Sequence, residues 1–248
     1  HQNPKEILSL GGGQVTITGT GAGTHGVVMQ NLDLLSTAGS LNVYGGTGGV
    51  SLGDRGVRFG SDAASAVTSS TASLTIRGDD LEYNDLAFGF SNSLESTGAV
   101  VMESHSSSFS SAFDYENFDL DPSVSSFRVG RTTNAADVVI KEPVSIAGPI
   151  SIYGGDILLE EDFTSTLSGA DVLVKGRGDV EAVASRSFLT NNGDIVFWSN
   201  SDNSGVGSIK LGNDNVLNSS NGRSGDTDSG GGKITLGGGS GSGTSPTG

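Results

Sequence analysis

Acidic side chains cluster at three places along the chain, and their types and spacing could do chemistry. The clusters are Asp79-Asp80, the group Asp114, Glu116, Asp119 and Asp121, and Glu160-Glu161-Asp162. A glycoside hydrolase needs two carboxylates about 5–10 Å apart, and closely spaced carboxylate oxygens are also preferred ligands of Ca²⁺. The second cluster is therefore the candidate calcium site, although it lacks the order of an EF-hand loop. A solvated acidic surface is the alternative interpretation.

Aromatic residues are concentrated in the same part of the chain, over residues 79–123. Four of them are candidate ligand-binding residues because their rings could stack on sugars: Phe88, Phe90, Tyr115 and Phe118. Together with the nearby carboxylates they indicate a glycan-binding face. The alternative is that they belong to extended turns or loops that cover one side of the fold.

No other motif points to catalysis. The chain has no Cys, which excludes disulfides, thiolate metal sites and a cysteine nucleophile. His1, His25 and His105 lie far apart in sequence, so a zinc site is not expected. No serine lies in a G-x-S-x-G elbow. We therefore predict that the chain is not an enzyme, has no catalytic residues and uses no cofactor, with Ca²⁺ as the one candidate ion.

Charge and composition exclude further classes of protein. The net charge of −15, from 13 basic and 28 acidic residues, argues against a nucleic-acid partner, which needs a cationic surface. No run of about 18 apolar residues exists, so no transmembrane helix is predicted. The 40 glycines disfavour helices, and the apolar residues are mostly Val, Ile, Leu and Phe, which suit strands. A β architecture with many turns follows.

A short alternating strand, bracketed by glycine or small polar residues, recurs along the chain. Apolar residues at positions i and i+2 place two side chains on one face of each strand. The first apolar residues of the repeats form the predicted core columns: Val15, Leu41, Leu74, Val100, Phe127, Ile150, Val172, Ile195 and Ile234. From the first to the eighth, the spacings are 26, 33, 26, 27, 23, 22 and 23 residues, and Ile209 precedes Ile234 by 25.

A period in this range is typical of solenoids, in which each turn stacks on the last. The pattern predicts an all-β fold, a right-handed parallel β-helix with rungs of about 22–27 residues. Corners between the strands need positive φ angles, which Gly, Asn and Asp tolerate. Asn191-Asn192 and Asn213-Asp214-Asn215 lie where such corners are expected.

The same pattern suggests how the chain is organised. We expect an N-terminal lead-in over residues 1–12 and a β-helical repeat domain over 13–239, with irregular insertions over 79–123. Residues 240–248 form a Gly/Ser-rich tail whose composition is that of a linker. The first residues lack the basic and apolar regions of a signal peptide, so we expect a piece of a longer secreted chain.

Several runs resemble the β-strand repeats of filamentous haemagglutinin-like proteins, which are large bacterial surface adhesins. The runs are residues 26–29, 32–34, 37–45, 137–140, 146–157, 167–175, 192–198 and 231–236. The resemblance covers residues 13–78 and 124–239. It implies a right-handed parallel β-helix, an extracellular or bacterial cell-surface location, and a role in an adhesin or an extracellular filament.

Two functional hypotheses remain. In the first, the chain is a structural or adhesive segment that acts as a rigid spacer or a head-to-tail fibre subunit. Its partners would be flanking repeats of a longer parent chain or other copies of itself, and surface glycans of a host or the environment are further candidates. Head-to-tail contacts generate open filaments. In the second, the chain is a carbohydrate-active or glycan-binding β-helix, such as a polysaccharide lyase, a glycosidase or a tailspike-like domain.

Overall fold

The structure is a computed structural model of the 248-residue chain. It describes residues 5–9, 13–21, 25–29, 32–36, 39–52, 57–60, 73–83, 92–94, 96–220, 231–239, 241–242 and 245–246. Within these residues every regular element is a strand. The first thirteen strands are β1 (Lys5–Ser9), β2 (Val15–Thr18), β3 (Val27–Met29), β4 (Leu32–Ser36), β5 (Leu41–Gly46), β6 (Val50–Leu52), β7 (Val57–Gly60), β8 (Leu74–Gly78), β9 (Leu81–Tyr83), β10 (Asn92–Leu94), β11 (Ala99–Glu103), β12 (Phe113–Tyr115) and β13 (Phe118–Leu120).

The remaining strands are β14 (Ser126–Val129), β15 (Val138–Ile140), β16 (Val144–Ile146), β17 (Ile150–Gly154), β18 (Ile157–Leu159), β19 (Phe163–Ser165), β20 (Val172–Gly176), β21 (Val180–Ala182), β22 (Ser187–Thr190), β23 (Ile195–Ser199), β24 (Ile209–Leu211), β25 (Val216–Asn218), β26 (Ile234–Gly238), β27 (Gly241–Ser242) and β28 (Ser245–Pro246). The described part of the chain contains no helix with the length and apolar character needed to span a membrane.

The chain divides into two compact units, of which the first comprises residues 1–111 and 116–125. Its parallel strands stack in the orders β1-β4-β7-β10-β13, β2-β5-β8-β11 and β3-β6-β9. Neighbouring strands in each stack are three places apart along the chain, because the chain travels once around the rung before it returns to the same face. Val15 pairs with Leu41, Leu41 with Leu74, and Leu74 with Val100. The last three are fully buried, and Val15 is half-buried.

The second unit comprises residues 112–115 and 126–248 and follows the same plan. Its parallel strands stack in the orders β14-β17-β20-β23-β26, β12-β15-β18-β21-β24 and β16-β19-β22-β25, and β27 and β28 form a short antiparallel pair. A buried column runs from Phe127 through Ile150 and Val172 to Ile195. The prediction of an all-β parallel β-helix is therefore confirmed.

A stack of aromatic rings fills the interior beside this column. Phe188 packs edge-on against Phe163, with ring centroids 5.6 Å apart, and against Phe197, at 5.0 Å. Edge-to-face pairs at such distances are favourable because the positive ring edge meets the negative ring face. The three side chains are fully buried. They lie on β19, β22 and β23, so their packing joins one rung to the next and one sheet to another.

One predicted spacing is wrong. Ile209 pairs with Val180 in one sheet, whereas Ile234 pairs with Ile195 in another, so the 25 residues between Ile209 and Ile234 do not mark a rung. The register step from Ile195 to Ile234 is 39 residues. The mistake arose because both strands carry the same alternating pattern, which does not identify the face to which a strand belongs.

Two further predictions concern the corners between strands and the segments outside the regular repeat. Asn192 and Asp214 adopt positive φ angles of 63° and 60°, as expected at corners. Strand β1 lies within the segment expected as a lead-in, and β9 to β13 lie within the segment 79–123 expected as insertions. Strands β27 and β28 lie in the Gly/Ser-rich tail. These segments therefore contribute strands of their own.

Candidate functional site

Strands β24, β25 and β26 are the last strands of the three parallel stacks in the second unit, and we call them the open rung. Each is the last strand in its stack, pairing on one side with β21, β22 or β23. In the described part of the chain no strand pairs with their other edges. Unpaired edges of parallel strands can accept a further strand.

Apolar side chains that would be interior in any other rung are exposed in the open rung. Leu211, Ile234 and Leu236 are 38%, 46% and 48% exposed. Their register partners one rung earlier are Ala182, Ile195 and Phe197, all of which are buried. The earlier three side chains are covered by the rung that follows them, and no strand in the described part of the chain covers Leu211, Ile234 or Leu236 in this way. The predicted core residue Ile234 is thus not buried, and this corrects the sequence-based expectation.

A groove of about 580 Å³ lies within the open rung. Ile209, Leu211 and Leu236 supply its apolar lining, and the backbone of Gly237 and Gly238 contributes polar atoms. The groove lies between β24 and β26, which belong to different sheets of the same unit. Apolar walls with main-chain groups at the rim suit an extended segment that adds to a sheet.

Aspartates at the strand starts join consecutive rungs of the second unit. Asp137 Oδ1 accepts a hydrogen bond from the N–H of Asp156 (2.8 Å), Asp156 Oδ1 from that of Asp179 (2.8 Å), and Asp179 Oδ1 from that of Ser208 (2.7 Å). We call this the aspartate ladder. Each carboxylate satisfies a corner N–H that would otherwise need another partner, so the ladder fixes the stacking of the corners.

A second row of the same kind lies before β20, β23 and β26. Asp171 Oδ1 accepts from the N–H of Asp194, and Asp194 Oδ1 from that of Lys233, both at 2.7 Å. Sequence reasoning missed both rows. A signal was present, since each aspartate directly precedes the first residue of a strand and recurs once per rung.

Ion pairs stabilise the exposed end of the ladder. Lys210 Nζ lies 2.6 Å from Asp179 Oδ2 and 3.8 Å from Glu181 Oε2. The hydrogen bond from Lys210 is the main reason that the pKa of Asp179 lies below its ordinary value, and the N–H and hydroxyl of Ser208 add to this effect. The same contact raises the pKa of Lys210. Both groups are therefore charged at neutral pH.

The candidate calcium ligands have other partners or positions. Asp114 forms an ion pair with Lys141, and Asp121 Oδ1 accepts a hydrogen bond from the N–H of Ser123 at 2.7 Å. Glu116 is half-buried and Asp119 is exposed. Nowhere in the described ranges do three His, Asp or Glu side chains converge as metal ligands. Calcium binding stays a prediction that a calcium titration would test.

Two of the candidate sugar-stacking residues are interior. Tyr115 is fully buried against Phe127, with ring centroids 5.1 Å apart, and Phe118 is 5% exposed. Both occupy inward positions of short strands, where side chains alternate between core and solvent. Neither ring can stack on a ligand, which contradicts their predicted role. Phe88 and Phe90 lie outside the described residues.

Comparisons of the chain with protein-family models, with curated proteins and with solved structures give no match. The likeness to haemagglutinin-type repeats therefore rests on the sequence pattern alone. The parallel solenoid itself is established by the strand pairing described above. The features from which a function can be argued are the open rung and the aspartate ladder.

Proposed function

We propose that the chain is a structural segment of an extracellular bacterial surface protein, in which it acts as a rigid β-helical spacer and stacks end to end through its open rung. One observation carries the proposal: Leu211, Ile234 and Leu236 are exposed, whereas their partners one rung earlier are buried. An adhesive role in the intact surface protein is compatible with this proposal. The chain itself is proposed to have no catalytic activity.

The energetics favour stacking on a surface of the same kind. Full burial of a Leu or Ile side chain contributes about 1.5–3 kcal/mol, so covering these half-exposed residues would contribute about 1 kcal/mol each. The unpaired strand edges add main-chain hydrogen bonds only if the incoming segment is also extended. A second copy of the chain, whose strands are also extended and parallel, meets both requirements.

Purified chain at increasing concentration tests this proposal. We expect sedimentation velocity to show oligomers that grow with concentration, and electron microscopy to show rods of variable length. Leu236→Lys places a charge in the groove and should abolish the oligomers. Leu167→Lys is the matched control, because Leu167 is 61% exposed but lies outside the open rung.

Particles of a single chain at every concentration would refute stacking through the open rung. Oligomers that survive Leu236→Lys as well as Leu167→Lys would show that another surface is responsible. A panel of acidic polysaccharides tests the remaining alternative, and turnover of any of them would contradict a purely structural role.

A further inference from the structure

Strand β2 is the first strand of its stack, and it presents the same kind of surface as β26. In the described part of the chain no strand pairs with the edge of β2 that faces away from β5. Its inward side chains, Val15 and Ile17, are only half-buried. Their register partners on β5 are Leu41 and Val43, which are fully buried. Within the described residues, β2 is thus covered on one edge only, as β26 is.

Hydrogen bonds between rungs follow one rule in both units. The backbone N–H of the first inward residue of a strand donates to the carbonyl of the residue that precedes the partner strand in the following rung. This holds, with N···O distances of 2.8–2.9 Å, for Val15 and Ser40, Leu41 and Ser73, Ile150 and Asp171, Val172 and Asp194, and Ile195 and Lys233. At β26 the same rule directs the N–H of Ile234 towards the carbonyl that precedes an incoming strand. For β2 that residue is Gln14.

Glycines two positions before the strands let successive rungs approach closely. A Cβ added to Gly232 would lie 2.1 Å from the Gly193 carbonyl oxygen. One added to Gly39 would lie 2.0 Å from the Gly13 carbonyl oxygen. At these positions the backbone of one rung lies directly on that of the previous rung, which only a residue without a side chain permits. An incoming strand would place its own residue on the Gly232 carbonyl, and β2 offers Gly13 there.

We propose that β2 of a second copy is the strand that adds to β26, parallel to it and in the register that continues the solenoid. The register pairs are Val15 with Ile234, Thr16 with Thr235, and Ile17 with Leu236. The inward residues of both strands become covered, and the Gln14 carbonyl accepts the Ile234 N–H. Because the two edges differ, the contact is heterologous and generates an open filament. This pairing rests on the end-to-end stacking proposed above, and it specifies the strand and the register.

Introduced cysteines report the register, because the chain has no Cys of its own. Full-length chain carrying Thr235→Cys is mixed with full-length chain carrying Thr16→Cys, and the mixture is oxidised at a concentration that gives oligomers. Paired residues of parallel strands have Cα atoms about 5 Å apart, within the range of about 4.4–6.8 Å that a disulfide spans. We expect a covalent dimer in non-reducing electrophoresis of the mixture and none from either variant alone.

Thr18→Cys is the matched control for Thr16→Cys. Both threonines point outward from β2 and are exposed. In the proposed register the Cα of Thr18 would lie about 8 Å from that of Thr235, because it is two residues further along the strand. This distance is too long for a disulfide, so the mixture of Thr18→Cys with Thr235→Cys should give little dimer.

The outcomes separate this pairing from stacking itself. An equal or larger dimer yield from the Thr18→Cys mixture would overturn the register. Oligomers in sedimentation velocity without a covalent dimer in either mixture would show that another segment adds to β26, so the pairing would be wrong while end-to-end stacking stands. Absence of oligomers in the unmodified chain would refute both.

Charges at the same positions give a second measurement that needs no oxidation. Like charges directly opposite each other on neighbouring strands destabilise the pair, and opposite charges stabilise it. Thr16→Lys combined with Thr235→Lys should raise the concentration needed for oligomers severalfold, and Thr16→Glu combined with Thr235→Lys should restore it. Thr18→Glu combined with Thr235→Lys has the same net charge and should restore it less. Equal oligomer formation by the two glutamate-containing chains would overturn the pairing of Thr16 with Thr235.

Discussion

Asp156 Oδ1 accepts a hydrogen bond from the backbone N–H of Asp179 at 2.8 Å, although the two residues are 23 positions apart in sequence. The contact joins the corners of two successive rungs. At a corner the main chain leaves one sheet before it enters the next, so its N–H groups need partners outside the ladders. Aspartate supplies such a partner to the following rung while its own N–H bonds to Asp137 of the preceding one.

Replacing Asp156 tests how much this link contributes. Asp156→Ala leaves the N–H of Asp179 without its partner and should lower the free energy of unfolding by about 1 kcal/mol, measured by urea denaturation. Asp156→Asn keeps an acceptor oxygen and should retain most of the stability. Asp119→Ala removes an exposed carboxylate outside the ladder and is the control. Equal losses in Asp156→Ala and Asp119→Ala would contradict a structural role for the ladder.

The contact between Asp179 and Lys210 predicts that the unfolding free energy depends on pH. The hydrogen bond from Lys210 lowers the pKa of Asp179 below its ordinary value of 3.8. A carboxyl whose pKa is lower in the folded state adds stability above its unfolded pKa and loses it as the pH falls through the folded pKa. Lys210→Met should therefore shrink the difference in unfolding free energy between about pH 7 and about pH 3.

Lys233→Met is the control for this experiment, because it removes the same charge while the Lys233 N–H still bonds to Asp194. Denaturant curves at both pH values give the comparison. If the two lysine variants lose the same part of the pH dependence, net charge rather than the Asp179 contact is responsible.

Gly193 predicts a steric limit on the spacing of the rungs. A Cβ added there would lie 2.0 Å from the Ala170 carbonyl oxygen, a backbone atom that cannot move without disturbing the preceding rung. Gly193→Ala should cost about 1–3 kcal/mol of unfolding free energy, the range typical of overpacked sites. At Gly231 the nearest atom of the described residues would be 3.5 Å away, so Gly231→Ala should be close to neutral in the same thermal or urea unfolding assay. An unchanged unfolding free energy in Gly193→Ala would show that the rungs can move apart to accommodate the methyl group.

Much of the fold could be predicted because its signals are local. The alternation of apolar and polar residues within each strand, as in Ile150–Gly154, depends only on the two-residue period of an extended chain. The repeat of that pattern every 22–27 residues in most of the chain then requires stacking. The positive φ of Asn192 follows from the same local chemistry.

The candidate site was harder to predict, because exposure depends on residues far away in sequence. Tyr115 and Phe118 look like sugar-stacking aromatics beside acidic residues, yet the strand alternation turns both rings inward. In the sequence the aspartates of the ladder are scattered single acidic residues. Only the stacking of the rungs brings each carboxylate to a backbone N–H of the following rung.

The sequence by itself determined the type of fold, since periods of two and of about two dozen residues are compatible with little but a parallel solenoid. Only the tertiary structure decided which apolar residues are covered. Ile195 and Ile234 share the same pattern and are register partners, but Ile195 is buried and Ile234 is exposed. Trp198 points outward and is buried all the same, and its indole N–H donates a hydrogen bond to the Gly239 carbonyl. The physical reason is that burial is set by whichever segment packs on a strand, and that segment is chosen by the path of the whole chain.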